Sequence, residues 1–120
     1  MKALVYKQKN TLEDFQIKLE EVPDPILNEN DVLVSVKAFA VNPGDAWFRR
    51  TQSLKEGGYR IPGYDFGGVI QKIGEKVKGF SVGDRVYGIG DSARQGCYAE
   101  SVAVDYRSIA KIVIELEESH

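Results

Sequence analysis

Short runs of alternating apolar and polar residues, each cut off by Gly, Pro, Asn or Asp, constrain this chain more than any other feature. Alternation at a spacing of two is the signature of a strand with one buried face, whereas a helix needs apolar residues three and four apart. With 12 glycines and 4 prolines spread through 120 residues, helices of ordinary length have little room to run. Lys2 to Tyr6 predicts a first strand. Phe15, Ile17 and Leu19 alternate with Gln16, Lys18 and Glu20 and predict a second, half-buried one, ended by Pro23 and Pro25. Asp31 to Val41 is the strongest signal, with Val32, Val34, Val36, Ala38 and Ala40 on one face and Leu33, Ser35, Lys37, Phe39 and Val41 on the other. Further strands are predicted at Gly68 to Ile73, Arg85 to Ile89, Tyr98 to Val104 and Ser108 to Ile114. Gly57-Gly58, Gly63, Gly67-Gly68, Gly74 and Gly83 are read as the turns and bends between them. Many short strands with dense turn signals make a mainly β barrel or sandwich.

One stretch departs from this pattern. Asn42 can cap a short helix, and Pro43 suits its first position, where a missing N–H costs nothing. Asp45 in the first turn and Arg49-Arg50 in the last match the helix dipole, and Asp45 and Arg49 are spaced to pair.

Composition narrows the classes of function. Sixteen basic residues against 18 acidic give a net charge of −2, with no long run of either sign, so neither nucleic acid nor an anionic membrane is indicated as a partner. No apolar run is long enough to span a bilayer, and Met1 to Lys7 does not read as a signal peptide. The single cysteine, Cys97, excludes an internal disulfide and any multi-cysteine metal site, and fits a reducing compartment; the expected location is the cytoplasm. Cys97 is read as an inert, half-buried thiol and Asp84 as a turn residue.

Gly88-Ile89-Gly90-Asp91-Ser92-Ala93 matches the dinucleotide-binding fingerprint with Ala in the last place. That motif works only where a strand feeds it and a helix follows, so that the helix N-terminus faces the pyrophosphate. Arg94-Gln95-Gly96 and another strand-like segment follow instead, which predicts a hairpin loop.

Four segments carry a resemblance. They are Val36-Lys37-Ala38-Phe39-Ala40-Val41-Asn42-Pro43-Gly44-Asp45, Pro62-Gly63-Tyr64-Asp65-Phe66-Gly67-Gly68-Val69-Ile70, Gly79-Phe80-Ser81-Val82-Gly83-Asp84-Arg85-Val86 and Gly96-Cys97-Tyr98-Ala99-Glu100. In this order and spacing, with the Met-Lys-Ala start, the chain resembles the N-terminal, GroES-like catalytic domain of the medium-chain dehydrogenase/reductase superfamily, in its quinone oxidoreductase branch. The resemblance implies a GroES-like partly open β barrel with one or two short helices. It also implies that residues 1–120 are one domain, the N-terminal part of a longer enzyme whose Rossmann nucleotide-binding domain is absent here.

The same resemblance assigns roles to residues. In zinc-dependent members a cysteine lies where this chain has Asn42, and a histidine where it has Tyr64; the acidic residue beside that histidine matches Asp65. An amide and a phenol cannot replace a thiolate and an imidazole at a catalytic zinc. Between Gly83 and Gly96 there is no cysteine for a structural zinc either, so no metal is expected. Asn42-Pro43-Gly44-Asp45 looks like the Asn-Pro-x-Asp pattern of the quinone-reductase branch, whose asparagine lies beside the nicotinamide and substrate. Asn42 and Tyr59 are therefore the catalytic candidates. Trp47, Tyr64 and Asp65 are the substrate-binding candidates, and Asn42, Pro43 and Gly44 the cofactor-binding ones. Each has a plainer reading beside it. Asn42 can be a helix cap, Tyr59 a loop aromatic after Gly57-Gly58, Trp47 a packing residue, Tyr64 a filler of the empty metal pocket, and Asp65 a turn carboxylate.

The implied function is transfer of hydride from NADPH, without zinc, to a quinone or an α,β-unsaturated carbonyl, a small-molecule substrate. The alternatives are an alcohol or aldehyde dehydrogenase of the same superfamily, or a stand-alone GroES-like binding module without enzymatic activity. An unpaired strand edge in the isolated chain also predicts self-association, as a homodimer. Elemental analysis of the purified chain is expected to find no stoichiometric zinc, and titration calorimetry no micromolar NADPH affinity; either finding would contradict the reading.

Overall fold

A computed structural model describes residues 1–7, 17–41, 58–91 and 93–113. The strands are β1 (Lys2–Lys7), β2 (Lys18–Glu21), β3 (Asp31–Phe39), β4 (Tyr59–Arg60), β5 (Asp65–Ile73), β6 (Arg85–Ile89), β7 (Ser101–Asp105) and β8 (Ile109–Lys111). They form two antiparallel sheets, a three-stranded one in the order β2-β1-β4 and a five-stranded one in the order β7-β3-β5-β6-β8. The Tyr98–Glu100 segment ties one sheet to the other. Leu4 N–H donates to the Tyr98 carbonyl, Glu100 N–H to that of Lys2, and Val36 N–H to that of Glu100. The architecture is thus mainly β and a partly open barrel, as expected.

The core lies where the alternation is strictest. Val32 and Val34 of β3, Ile70 of β5, Val86 of β6 and Val102 of β7 are each at most 1% exposed, and they pack with Val5, Ile61, Phe66 and Cys97. Burying one such Val or Ile side chain is worth about 1.5–3 kcal/mol.

Several expectations need correcting. Burial does not alternate along Asp31 to Val41: Asp31, Val32, Leu33 and Val34 are all buried, β3 ends at Phe39, and Ala38, Ala40 and Val41 are exposed. Register shifts against β5 at Leu33/Val34 and Val36/Ala38 let the strand slip off the core. Leu19 was expected on a buried face and is exposed; it stands opposite Leu4 on the outer side of β1, while Ala3 and Val5 take the inner side. Phe15 lies outside the described residues. Gly67 sits inside β5 rather than in a turn, because the strand expected from Gly68 already begins at Asp65. Gly68 is there because a Cβ would collide with the Ser35 carbonyl of β3. The strand expected from Tyr98 begins at Ser101, since the backbone before it bonds to other partners. The strand expected over Ser108 to Ile114 is Ile109–Lys111, because Tyr106–Ser108 forms a 3-10 turn capped by Asp105. Ile114 and the helix expected after Asn42 lie outside the described residues. Asp84 does close a turn: its side chain accepts from Ser81 N–H at 2.9 Å, and Gly83 beside it has φ +96°.

A close backbone approach is made at Gly96, which lies between β6 and β7. A Cβ there would collide with the carbonyl oxygens of both Pro62 and Gly63. At Gly67 the nearest atom to such a Cβ, the Val86 carbonyl oxygen, would be 3.7 Å away. In urea unfolding, Gly96→Ala is expected to lower stability by about 1–3 kcal/mol. Gly67→Ala is expected to change it by less than about 1 kcal/mol. Equal effects would contradict the close-approach account.

Candidate functional site

The described site candidates lie on one run of chain, Tyr59 to Asp65. Its start, β4, is only two residues long and pairs with the end of β1 through Tyr6↔Arg60 and Lys7↔Tyr59. So short a strand cannot hold itself in place, and its other side is gripped by the loop between β6 and β7. Gln95 Nε2 donates to the Tyr59 carbonyl at 3.1 Å, and Gln95 Oε1 accepts from Ile61 N–H at 2.6 Å. One side-chain amide thus bonds this edge as a neighbouring strand would. Next, Gly96 N–H donates to the Ile61 carbonyl at 2.7 Å, Tyr98 N–H to Pro62 at 3.1 Å and Cys97 N–H to Gly63 at 3.3 Å. Gly90 N–H reaches the Tyr64 carbonyl at 2.7 Å, and the Cys97 thiol the Asp65 carbonyl at 3.3 Å. The glycines allow this: Gly63 has φ +103° and packs against Tyr98 and Cys97 where a side chain would stand.

The loop has its own anchor. Arg94 makes a bidentate pair with Asp31, Nη1 to Oδ1 at 2.9 Å and Nη2 to Oδ2 at 2.7 Å, and Asn28 N–H adds a bond to Oδ2 at 2.8 Å. Asp31 is buried, and burial alone would push its carboxyl up. The Arg94 guanidinium and the Asn28 N–H outweigh that and hold it below the ordinary aspartate value. Arg60, also buried, lies among Tyr6, Tyr64 and Asp91; burial pushes its guanidinium down, and those neighbours partly offset it.

Tyr59, Tyr64 and Asp65 are half-buried, and Tyr59 and Asp65 line two different hollows among the described residues. Tyr59 lines a hollow of about 460 Å³ with Pro25, Ile61, Arg94, Gln95 and Val102. Asp65 lines another, of about 480 Å³, with Tyr87, Ile89 and Arg107. Tyr64 lines neither. Asn42, Pro43, Gly44 and Trp47 lie outside the described residues. Sequence reasoning passed over Gln95, Arg94 and Arg60. The Arg94–Asp31 pair joins residues far apart in the chain, and Gln95 is an ordinary exposed polar residue until its partners are known; neither leaves a local pattern.

Cys97 needs a correction: it is 0% exposed rather than half-buried. Two implied groups can be tested against these residues. For a zinc ion, the position matched to a histidine ligand is a phenol, Tyr64, and Cys97 is turned to a backbone carbonyl. Among the described residues no three His, Cys, Asp or Glu side chains cluster. The donor set does not fit zinc. For a dinucleotide, Gly88 and Ile89 of the fingerprint-like segment belong to β6, Gly90 is bonded to Tyr64, and Ala93-Arg94 form a turn. No helix follows among the described residues, so this segment does not fit the diphosphate; it leads into a loop but not the hairpin expected, because β3 and β5 lie between β6 and β7.

Residues 28–114 match the alcohol dehydrogenase GroES-like domain. The chain belongs to that family. Within the medium-chain dehydrogenase/reductase superfamily it is similar to the quinone oxidoreductase of Lama guanicoe, 38% identical over 103 residues, covering 84% of this chain and 31% of that protein. It is 37% identical over 122 residues to the 2-methylene-furan-3-one reductase of Solanum lycopersicum, covering 92% and 30%. The solved structure of the quinone oxidoreductase from Coxiella burnetii superposes with a TM-score of 0.80 at 28% identity, covering 98% of this chain and 38% of that one. Zinc-type alcohol dehydrogenase-like proteins match as well. The chain spans about a third of the length of these relatives. It is a GroES-like domain of an oxidoreductase superfamily whose members act on small molecules.

Proposed function

We propose that this chain is the N-terminal catalytic domain of a longer, NADPH-dependent, zinc-independent reductase of quinones or α,β-unsaturated carbonyls. The observation that carries the reading is the donor set: a phenol, Tyr64, stands at the position matched to the zinc-binding histidine. The names of the two relatives above agree, since a quinone and a methylene-furanone are both conjugated carbonyl compounds. A nicotinamide cofactor, when bound, supplies the hydride. This chain's own task is to bind and polarise the substrate. The Tyr59 hydroxyl would donate a hydrogen bond to an oxygen as negative charge develops on it, and Asn42, with both a donor and an acceptor, would orient the carbonyl or carboxamide. Trp47, Tyr64 and Asp65 would border the substrate, and Pro43 and Gly44 would approach the cofactor.

The rest of the reading follows from composition and family. The protein acts in the cytoplasm, as a homodimer, without nucleic acid or membrane as partner. No described helix is long and apolar enough to cross a bilayer. Reduction or oxidation of ordinary alcohols and aldehydes is the second reading, favoured by the zinc-type relatives. It is disfavoured by the loss of the Lewis acid on which that chemistry relies.

The test is a steady-state assay of the natural full-length polypeptide with NADPH against a quinone and an enone, and with NADP⁺ against a primary alcohol, with and without a chelator. Chelator-insensitive turnover of the quinone or enone is expected. Tyr59→Phe, folded as the parent, is expected to lower kcat/KM on the order of 100-fold. Metal-dependent alcohol oxidation without quinone or enone turnover would overturn the proposal.

A further inference from the structure

We propose that Gln95 is a positioning residue for Tyr59, acting with the Arg94–Asp31 pair beside it; this rests on the reading of Tyr59 given above. Nothing in the family match assigns a role to this loop residue. Gln95 is exposed, where a glutamine would ordinarily stay solvated and lose no side-chain entropy. Here both ends of its amide are committed instead, Nε2 to the Tyr59 carbonyl at 3.1 Å and Oε1 to Ile61 N–H at 2.6 Å. These bonds flank Arg60, and they complete the one edge of β4 that β1 does not pair. The next residue in each direction is fixed. Arg94 is locked to buried Asp31 by two bonds, and Gly96 N–H is bonded to the Ile61 carbonyl. Gln95 therefore cannot swing with its loop, and its amide holds the backbone of Tyr59 at a set distance from β3. Gln95, Arg94 and Tyr59 line the same hollow of about 460 Å³, so the held residue faces open space large enough for a small conjugated molecule.

The amide ends can be separated by substitution. Gln95→Glu keeps an acceptor for Ile61 N–H and turns the donor to Tyr59 into a second acceptor, facing a carbonyl. Gln95→Ala removes both bonds.

In the full-length enzyme each variant is expected to lower kcat about tenfold or more, with KM changed less than about twofold, because a misplaced group costs transition-state rather than ground-state binding. In a Tyr59→Phe background the same substitutions are expected to cost less than about twofold, since no hydroxyl remains to be positioned. A merely structural glutamine would lower kcat by the same factor in both backgrounds, and that result would overturn the proposal. A second readout needs no activity. With the 120-residue chain labelled with fluorotyrosine, the Tyr59 ¹⁹F resonance, identified by its loss in Tyr59→Phe, is expected to shift or broaden in Gln95→Glu while that of Tyr106 stays put. An unmoved Tyr59 resonance would overturn the proposal on its own. Full activity of Tyr59→Phe with a moved resonance would instead remove the catalytic role of Tyr59 and leave Gln95 as a structural clamp, which also overturns it.

Discussion

The close contact of Gly96 with the Pro62 and Gly63 carbonyls is the constraint on which the candidate site depends. Backbone can approach backbone that nearly only where no side chain intervenes, and here a Cβ on Gly96 or on Gly63 would be in collision. Once the two segments meet, the carbonyls of Tyr59 and of Ile61 to Asp65 find donors on the Gly90 to Tyr98 loop, through main-chain N–H groups, one thiol and one amide. Buried peptide groups demand such partners. A run that is neither helix nor long strand is fixed as firmly as a strand would be.

Charge closes the arrangement at its outer end. A buried carboxylate is costly unless it is paired and hydrogen-bonded, and Asp31 has both a bidentate guanidinium and a backbone N–H. Because its folded-state pKa is depressed, the pair contributes stability above the ordinary aspartate range and loses it as pH falls through the folded-state value. Asp31 also opens β3, the strand that pairs with both β5 and β7. The loop that holds Tyr59 is thereby referred directly to an inner strand of the larger sheet.

The sequence makes the sheets legible where apolar alternation meets a buried face. Val32, Val34, Val86 and Val102 are core on that ground, and Arg85–Ile89 falls where alternation put it. Legibility fails where tertiary contact overrides local pattern. Gly67 looks like a turn residue and lies in a strand, and beside it Gly68 is needed because β3 passes too close for a side chain. Tyr59–Arg60 is too short to leave a periodic trace. The family motifs marked Tyr64, Asp65 and Gly96 to Glu100 but not the bonds that join them, since those run to main-chain carbonyls, which no side-chain pattern encodes. The single thiol reads as half-buried because nothing local shows that it packs beside Gly63 within the core cluster.

Native-state amide hydrogen exchange on the 120-residue chain measures that grip most directly. Protection reports how often a bond opens, so it separates a clamped run from a surface loop. The account predicts that the amides of Ile61, Gly90, Gly96 and Tyr98 exchange nearly as slowly as that of Val34 in the core, and far more slowly than that of Gly79, where an added Cβ would meet only open space. Exchange of those four at the rate of Gly79, with Val34 still protected, would contradict it.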